Sequence, residues 1–172
     1  MIFLIIILLT FLTAACDNTN QSIISKAEAE KALNLALEQS GKPYVWGGDG
    51  SDNFDCSGLI IYSYRKTIGR DYIFKVGREI TKDATMEDLY NWNVNLIPPQ
   101  KMVPGDIVFI TKSEGDVTHG GLFIEWMDDG YNRFKFVNAS SYHKKVTIDT
   151  WSIEGTKRKQ WFVGAGRFKV AY

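Results

Sequence analysis

An α+β fold in a single domain is predicted by three features of this 172-residue sequence. Two stretches in the first half carry apolar residues at helical spacing. From Val103 onward the chain breaks into short apolar runs separated by turns rich in Gly and Asp. Between the two helical stretches lies a Gly-rich segment that leads straight into the second helix. Helices followed by an antiparallel meander give an α+β layout.

Composition narrows the function classes. Hydrophobic residues make up 45% and charged residues 23%, as in an ordinary globular domain with a sizeable core. Twenty basic residues balance twenty acidic ones, and the cations are scattered rather than striped. No bulk field draws such a chain to nucleic acid, and no nucleic-acid-binding motif is present. A monomer is expected.

The N-terminus reads as separate from the fold. Ile2 to Leu12 is almost unbroken apolar sequence and ends in Thr13-Ala14-Ala15-Cys16. It is too short for a spanning helix, so residues 1–15 are expected to be a signal peptide. Small residues before a cysteine resemble the bacterial lipoprotein cleavage site, which implies lipidation at Cys16, export, and anchoring to an envelope membrane. A plain signal peptide cut near Ala15 is the alternative. Residues 16–25 then form the anchor cysteine and a polar tether, and 26–172 the domain.

Ser25 and Glu28 have the spacing of a capping box, and Ala29, Ala32, Leu33, Ala36 and Leu37 share a helical face. A helix is therefore predicted over 26–40, stopped at Gly41. Tyr44-Val45-Trp46 reads as a short extended segment, with Trp46 packed in a groove or the core. Paired glycines follow, and a second helix is predicted from Cys56 to about Thr67, ended by Gly69. Residues 70–100 are less legible. Thr85 to Tyr90 has the look of a capped helix, Asn95 to Pro99 of a loop, and the only role assigned is a wall of the substrate groove. Strands are then predicted at Ile107–Ile110 (buried on both faces), Leu122–Trp126, Phe134–Ala139, Val146–Ile148 and Trp161–Phe168.

Cys56 carries the chemistry. The chain has two cysteines, and with Cys16 at the N-terminus Cys56 has no obvious disulfide partner. At a helix start, unpaired N–H groups and the helix dipole favour the thiolate, so a lowered pKa is expected. An inert core cysteine is the bland alternative. A thiol acting on an amide needs a base, and there are only two histidines. His119 begins a strand beside Gly120 and Gly121, which leave room for close approach; His143 lies in a polar loop. One Cys and one His do not make a zinc set, so neither metal nor other cofactor is expected.

Several phrases occur together: Pro43-Tyr44-Val45-Trp46-Gly47-Gly48, Asp55-Cys56-Ser57-Gly58-Leu59, Pro104-Gly105-Asp106-Ile107-Val108-Phe109, His119-Gly120-Gly121-Leu122-Phe123-Ile124, Phe136-Val137-Asn138-Ala139-Ser140 and Val163-Gly164-Ala165-Gly166-Arg167. In this order they resemble the NlpC/P60 family of papain-like cell-wall peptidases, across about residues 26–170. The resemblance implies a nucleophile-bearing helix packed on a small antiparallel sheet. It implies Cys56 as nucleophile, His119 as base and Asn138, where the family more often has His, as the group that orients His119. His143 is the competing orienter. It further implies Tyr44 near the reacting carbonyl, and Asp55 and Ser57 as a site for the free amine of a stem-peptide L-Ala. Asp55 would serve equally as a helix cap. The implied activity is hydrolysis of peptidoglycan stem peptides at the bond between γ-D-glutamate and the diamino acid. A CHAP-type amidase and a non-catalytic wall-binding lipoprotein are the other readings.

Overall fold

The computed structural model describes residues 20–172; the expected signal peptide and Cys16 lie outside them. Strand β1 (Gln21–Ile23) precedes helix α1 (Lys26–Leu37), β2 (Asp49–Gly50), β3 (Asn53–Phe54) and helix α2 (Cys56–Ile68). Then come β4 (Phe74–Val76), β5 (Glu79–Thr81), helix α3 (Met86–Trp92) and β6 (Val94–Ile97). The main strands follow: β7 (Ile107–Thr111), β8 (His119–Trp126), β9 (Arg133–Ser140), β10 (Lys145–Ser152) and β11 (Trp161–Ala171). The fold is α+β. Its main sheet has the order β1-β11-β7-β8-β9-β10, with β6 also paired to β11, and every pairing is antiparallel.

The helices form where local chemistry asks for them. Ser25 and Glu28 make the expected capping box on α1, and Thr85 and Asp88 make another on α3. The helix α2 ends at Gly69, which takes the left-handed conformation (φ 75°) that glycine adopts without strain. The first helix stops at Leu37, three residues short of the expected end. Gly41 is left-handed, but its N–H bonds to Val146 O of β10 at 2.9 Å rather than closing the helix.

Two stretches read as irregular are strands. Asn95–Ile97, expected as loop, belongs to β6, and residues 21–23, expected as tether, form β1. Both pair with β11, far along the chain, so nothing local announces them.

The sheet is covered on both faces. Ile107, Phe109, Leu122, Val137, Ala139 and Phe168 pack under Ala29, Ala32, Leu33 and Ala36 of α1 and Leu59, Ile60 and Tyr64 of α2. Val108, Ile110, Phe123, Phe134, Phe136 and Trp151 form a second, aromatic-rich core. This explains why β7 is an unbroken apolar run: alternate residues enter different cores.

An ion pair on a buried carboxylate ties the start of β7 to its neighbour β11. Asp106, fully buried before β7, accepts from Arg167 Nε and Nη2 of β11 at 2.9 and 3.0 Å, and from the Val103 N–H at 2.8 Å. The hydrogen bond that Arg167 donates to Asp106 is the leading cause that raises the Arg167 pKa. Beside it the Tyr64 hydroxyl donates to Gly105 O at 2.6 Å. Gly105 is left-handed, and a Cβ there would overlap the Ala29 carbonyl, so the turn lies hard against α1. Replacing Arg167 with Met strands the Asp106 carboxylate in the core. Urea unfolding should then show a loss of about 3–5 kcal/mol. Lys135→Met, which breaks only the exposed pair with Glu125, should cost under about 1 kcal/mol.

Candidate active site

Cys56 is the first residue of α2, and Asp55 caps that helix. Asp55 Oδ1 accepts from the Gly58 N–H at 2.7 Å and from the Ser57 hydroxyl at 3.1 Å. Its Oδ2 accepts from the Gly47 N–H at 2.9 Å, which fastens the Gly-rich loop to the helix start. The contact is close on the far side too. A Cβ on Gly58 would overlap the Gly48 carbonyl, so only glycine lets the loop and the first turn of α2 meet. The cap role weighed for Asp55 is therefore realised, and Ser57 is held by the same carboxylate.

The start of β8 comes up against this helix terminus. The Cys56 Sγ lies 3.9 Å from the Thr118 carbonyl oxygen, one residue before His119. Gly120 and Gly121 let β8 sit deep. A Cβ on Gly120 would overlap the Val108 carbonyl and one on Gly121 the Val137 carbonyl. His119 Nε2 is 3.2 Å from Asn138 Oδ1 of β9. The Asn138 Nδ2 donates to the Thr147 carbonyl of β10 at 3.3 Å, which fixes the amide with its oxygen toward the imidazole. With the Nε2–H engaged by that oxygen, Nδ1 is the nitrogen left to accept a proton.

The competing orienter is turned elsewhere. His143 Nε2 lies 3.1 Å from Arg158 Nη2 and 3.5 Å from Asp149 Oδ2. Burial alone would raise the Asp149 carboxyl, but hydrogen bonds from Lys157 and Arg158 hold it at about 2.

Tyr44 closes the other side. Its backbone N–H bonds to Lys144 O at 3.0 Å, in the turn between β9 and β10. Its hydroxyl is raised by burial and then by the nearby Cys56 and Asp55, so it is a neutral donor at any physiological pH. Trp46, expected to be packed, is instead 86% exposed on the same loop. Sequence reasoning missed the two backbone carbonyls, Thr118 and Thr147, because a carbonyl carries no residue-type signal.

The electrostatics correct one expectation. Cys56 and His119 each keep a strip of accessible surface, but protein surrounds both closely. Burial, and after it the Asp55 carboxylate, pushes the Cys56 thiol up to about 12. The Ser57 and Cys56 N–H groups at the helix start pull the other way and lose. Burial likewise lowers the His119 imidazole to about 4, against the Asn138 hydrogen bond and the Asp149 carboxylate. The free site therefore rests as neutral thiol and neutral imidazole, not as a thiolate. Among the described residues, no group of three or more His, Cys, Asp or Glu side chains is placed to hold a metal ion.

A thiol at a helix start, a histidine that opens the neighbouring strand and an amide bonded to that histidine are the residue types that a nucleophile, a base and its orienter call for. The sequence profile of the NlpC/P60 family matches residues 41–167, a span that contains Tyr44, Cys56, His119 and Asn138. The chain belongs to the NlpC/P60 family. It is 28% identical over 149 residues to the murein DD-endopeptidase MepH of Escherichia coli (strain K12), covering 83% of this chain and 48% of that one. It is 30% identical over 157 residues to the gamma-DL-glutamyl hydrolase of Bacillus subtilis (strain 168), covering 90% and 31%. The chain thus spans about half or less of these relatives. Among solved structures, NlpC2 of Trichomonas vaginalis superposes with a TM-score of 0.58 at 25% identity, covering 83% of this chain and 46% of that one.

The neutral pair has a direct readout. Iodoacetamide should alkylate Cys56 slowly at neutral pH, with a rate that keeps climbing past the ordinary thiol range of about 8.5. A rate that levels off near neutrality would mean a preformed thiolate.

Proposed function

We propose that this NlpC/P60 domain is a cysteine endopeptidase that hydrolyses peptidoglycan stem peptides, at the bond between γ-D-glutamate and the diamino acid. The observation that carries the reading is the contact of Cys56, at the start of α2, with the Thr118 carbonyl just before β8, whose first residue His119 has one nitrogen engaged by Asn138. A relative named as a murein DD-endopeptidase supports the substrate class, and one named as a gamma-DL-glutamyl hydrolase supports a γ-glutamyl bond.

The neutral resting pair sets the order of events. As Cys56 Sγ attacks the carbonyl carbon, its proton passes to His119 Nδ1, so thiolate and imidazolium form only as the C–S bond forms. The Asn138 oxygen stabilises the imidazolium through the Nε2–H. The Cys56 N–H at the helix start and the Tyr44 hydroxyl are the donors for the carbonyl oxygen as it becomes an oxyanion. Collapse breaks the C–N bond, and His119 gives its proton to the leaving amine. Water then attacks the thioester with His119 as base again, releasing the γ-D-glutamyl acid and the thiol. Asp55 and Ser57 supply a carboxylate and a hydroxyl for the free amine of the L-Ala. Export and a lipid anchor at Cys16 would bring the domain to its substrate.

The full-length chain and its Cys56→Ala variant, incubated with purified muropeptides, give the test by mass spectrometry. Release of L-Ala-γ-D-Glu by the wild type alone is expected. Cleavage at another bond, lost in the variant, would replace the assigned bond with an amidase reading; no cleavage at all would leave a wall-binding protein. His119→Ala should lower kcat by about 10²–10⁴-fold. In the wild type, kcat/KM should fall on acidification only as the pH approaches 4, where His119 takes up a proton and can no longer act as base. An acid limb at the ordinary histidine value of about 6.5 would contradict the buried neutral imidazole.

A further inference from the structure

His119 and Asn138 share their face of the sheet with a charged cluster. Asn138 of β9 pairs with Thr147 of β10, and Phe136 of β9 pairs with Asp149 of β10. Side chains two apart on a strand lie on one face, so Asn138, Phe136, Thr147 and Asp149 occupy the same side of β9 and β10. The His119 ring lies on that side too. Its Nε2 is 3.2 Å from Asn138 Oδ1, and it meets the Phe136 ring edge to face with centroids 6.5 Å apart. Asp149 therefore stands one strand beyond the amide that holds the imidazole.

A carboxylate at such a place has to be kept ionised. The Asp149 side chain is only 9% exposed. Lys157 Nζ and the Thr150 N–H donate to its Oδ1, and Arg158 Nη1 to its Oδ2, each at 2.8 Å. Burial works against the charge, but these bonds outweigh it, so Asp149 is ionised wherever a histidine titrates. Arg158 is fixed in turn, with its guanidinium 3.9 Å from the centre of the Tyr142 ring and Nη2 3.1 Å from His143 Nε2. Burial is the largest influence on His119, and the Asn138 bond opposes it; next come two charges of opposite sense, Asp149 favouring the imidazolium and Arg158 the neutral ring. At the start of α2, the Cys56 thiol and the Tyr44 hydroxyl are neutral, and the Asp55 carboxylate is engaged by Gly47, Ser57 and Gly58.

We propose that Asp149 is a positioning residue for the base: from one strand beyond Asn138, its carboxylate stabilises the imidazolium that His119 becomes during attack, while Arg158 holds that carboxylate and limits its effect. The proposal rests on the peptidase reading above, in which His119 takes the Cys56 proton. A neutral ring gains little from a nearby carboxylate. As the ring takes up its proton the attraction reaches full strength, in surroundings where burial weakens screening, so it acts on the transition state. Asn138 gives the imidazole an acceptor but no charge. The negative charge that a Ser-His-Asp arrangement places on its third residue is here supplied one strand further on.

The test uses the full-length chain in a His143→Gln background, which leaves one imidazole to follow and removes the other titrating group beside Asp149. Asp149→Asn and Arg158→Met are made in that background. His119 is titrated by NMR, and kcat, KM and the pH profile are measured on muropeptides. Asp149→Asn should lower kcat at pH 7 by about tenfold with KM little changed, and should move the His119 midpoint and the acid limb down. Arg158→Met leaves Lys157 on Asp149 and removes the opposing charge. Its midpoint and acid limb should move up by about half a pH unit or more, and its kcat should rise rather than fall. A merely structural role would lower kcat in both variants and move neither midpoint, and that result overturns the proposal. Should Asp149→Asn prove unfolded by circular dichroism, Arg158→Met decides alone, and an unmoved midpoint there overturns the proposal. Midpoints that move in opposite directions in a chain that cuts no stem peptide would sink the peptidase reading and leave the coupling of Asp149 to His119 standing.

Discussion

The placement of Cys56 depends on one carboxylate. Asp55 accepts the Gly58 N–H and so starts α2; it accepts the Ser57 hydroxyl; and through the Gly47 N–H it clamps the loop that carries Tyr44. A helix start has N–H groups with no helical partner, and a side-chain oxygen at the cap is the ordinary remedy. Here the same oxygen pair also fixes a loop that packs so closely on α2 that Gly58 can carry no side chain. The position of Cys56 is thereby set on three sides before substrate arrives.

That arrangement has an electrostatic consequence. A negative charge next to the thiol, inside a site where burial already penalises charge, works against the thiolate. The helix N-terminus favours it, but by a smaller margin. Burial likewise favours the neutral form of the His119 imidazole, which Asn138 holds through one ring nitrogen. The Asn138 amide, anchored in turn on Thr147 O, does this without a second titrating ring.

The sheet sets that point in a row of strand ends. Because β7, β8, β9 and β11 all bring one end to the same edge, the catalytic histidine candidate has a neighbour on either side at strand spacing. On one side stand Asn138 of β9 and, on the next strand, Asp149; on the other is Ile110 of β7. The buried Asp106–Arg167 pair and the Gly105 turn hold β7, β11, α1 and α2 in that register from beneath.

The sequence by itself determined the fold class, the capped starts of α1 and α3, the reach of α2 and the run of strands from Ile107 on. Those follow from local periodicity, capping residues and turn chemistry, which short stretches of chain carry in full. It also singled out Cys56, His119, Asn138, Tyr44, Asp55 and Ser57 through motifs that have a local form. It could not show β1 or β6, because each is a strand only by virtue of pairing with β11. Nor could it show that Trp46 is exposed, or that burial outweighs the helix terminus at Cys56. Desolvation, and the charges that Asp149 and Arg158 bring to bear on His119, are sums over residues distant in sequence, so they exist only once the chain has folded.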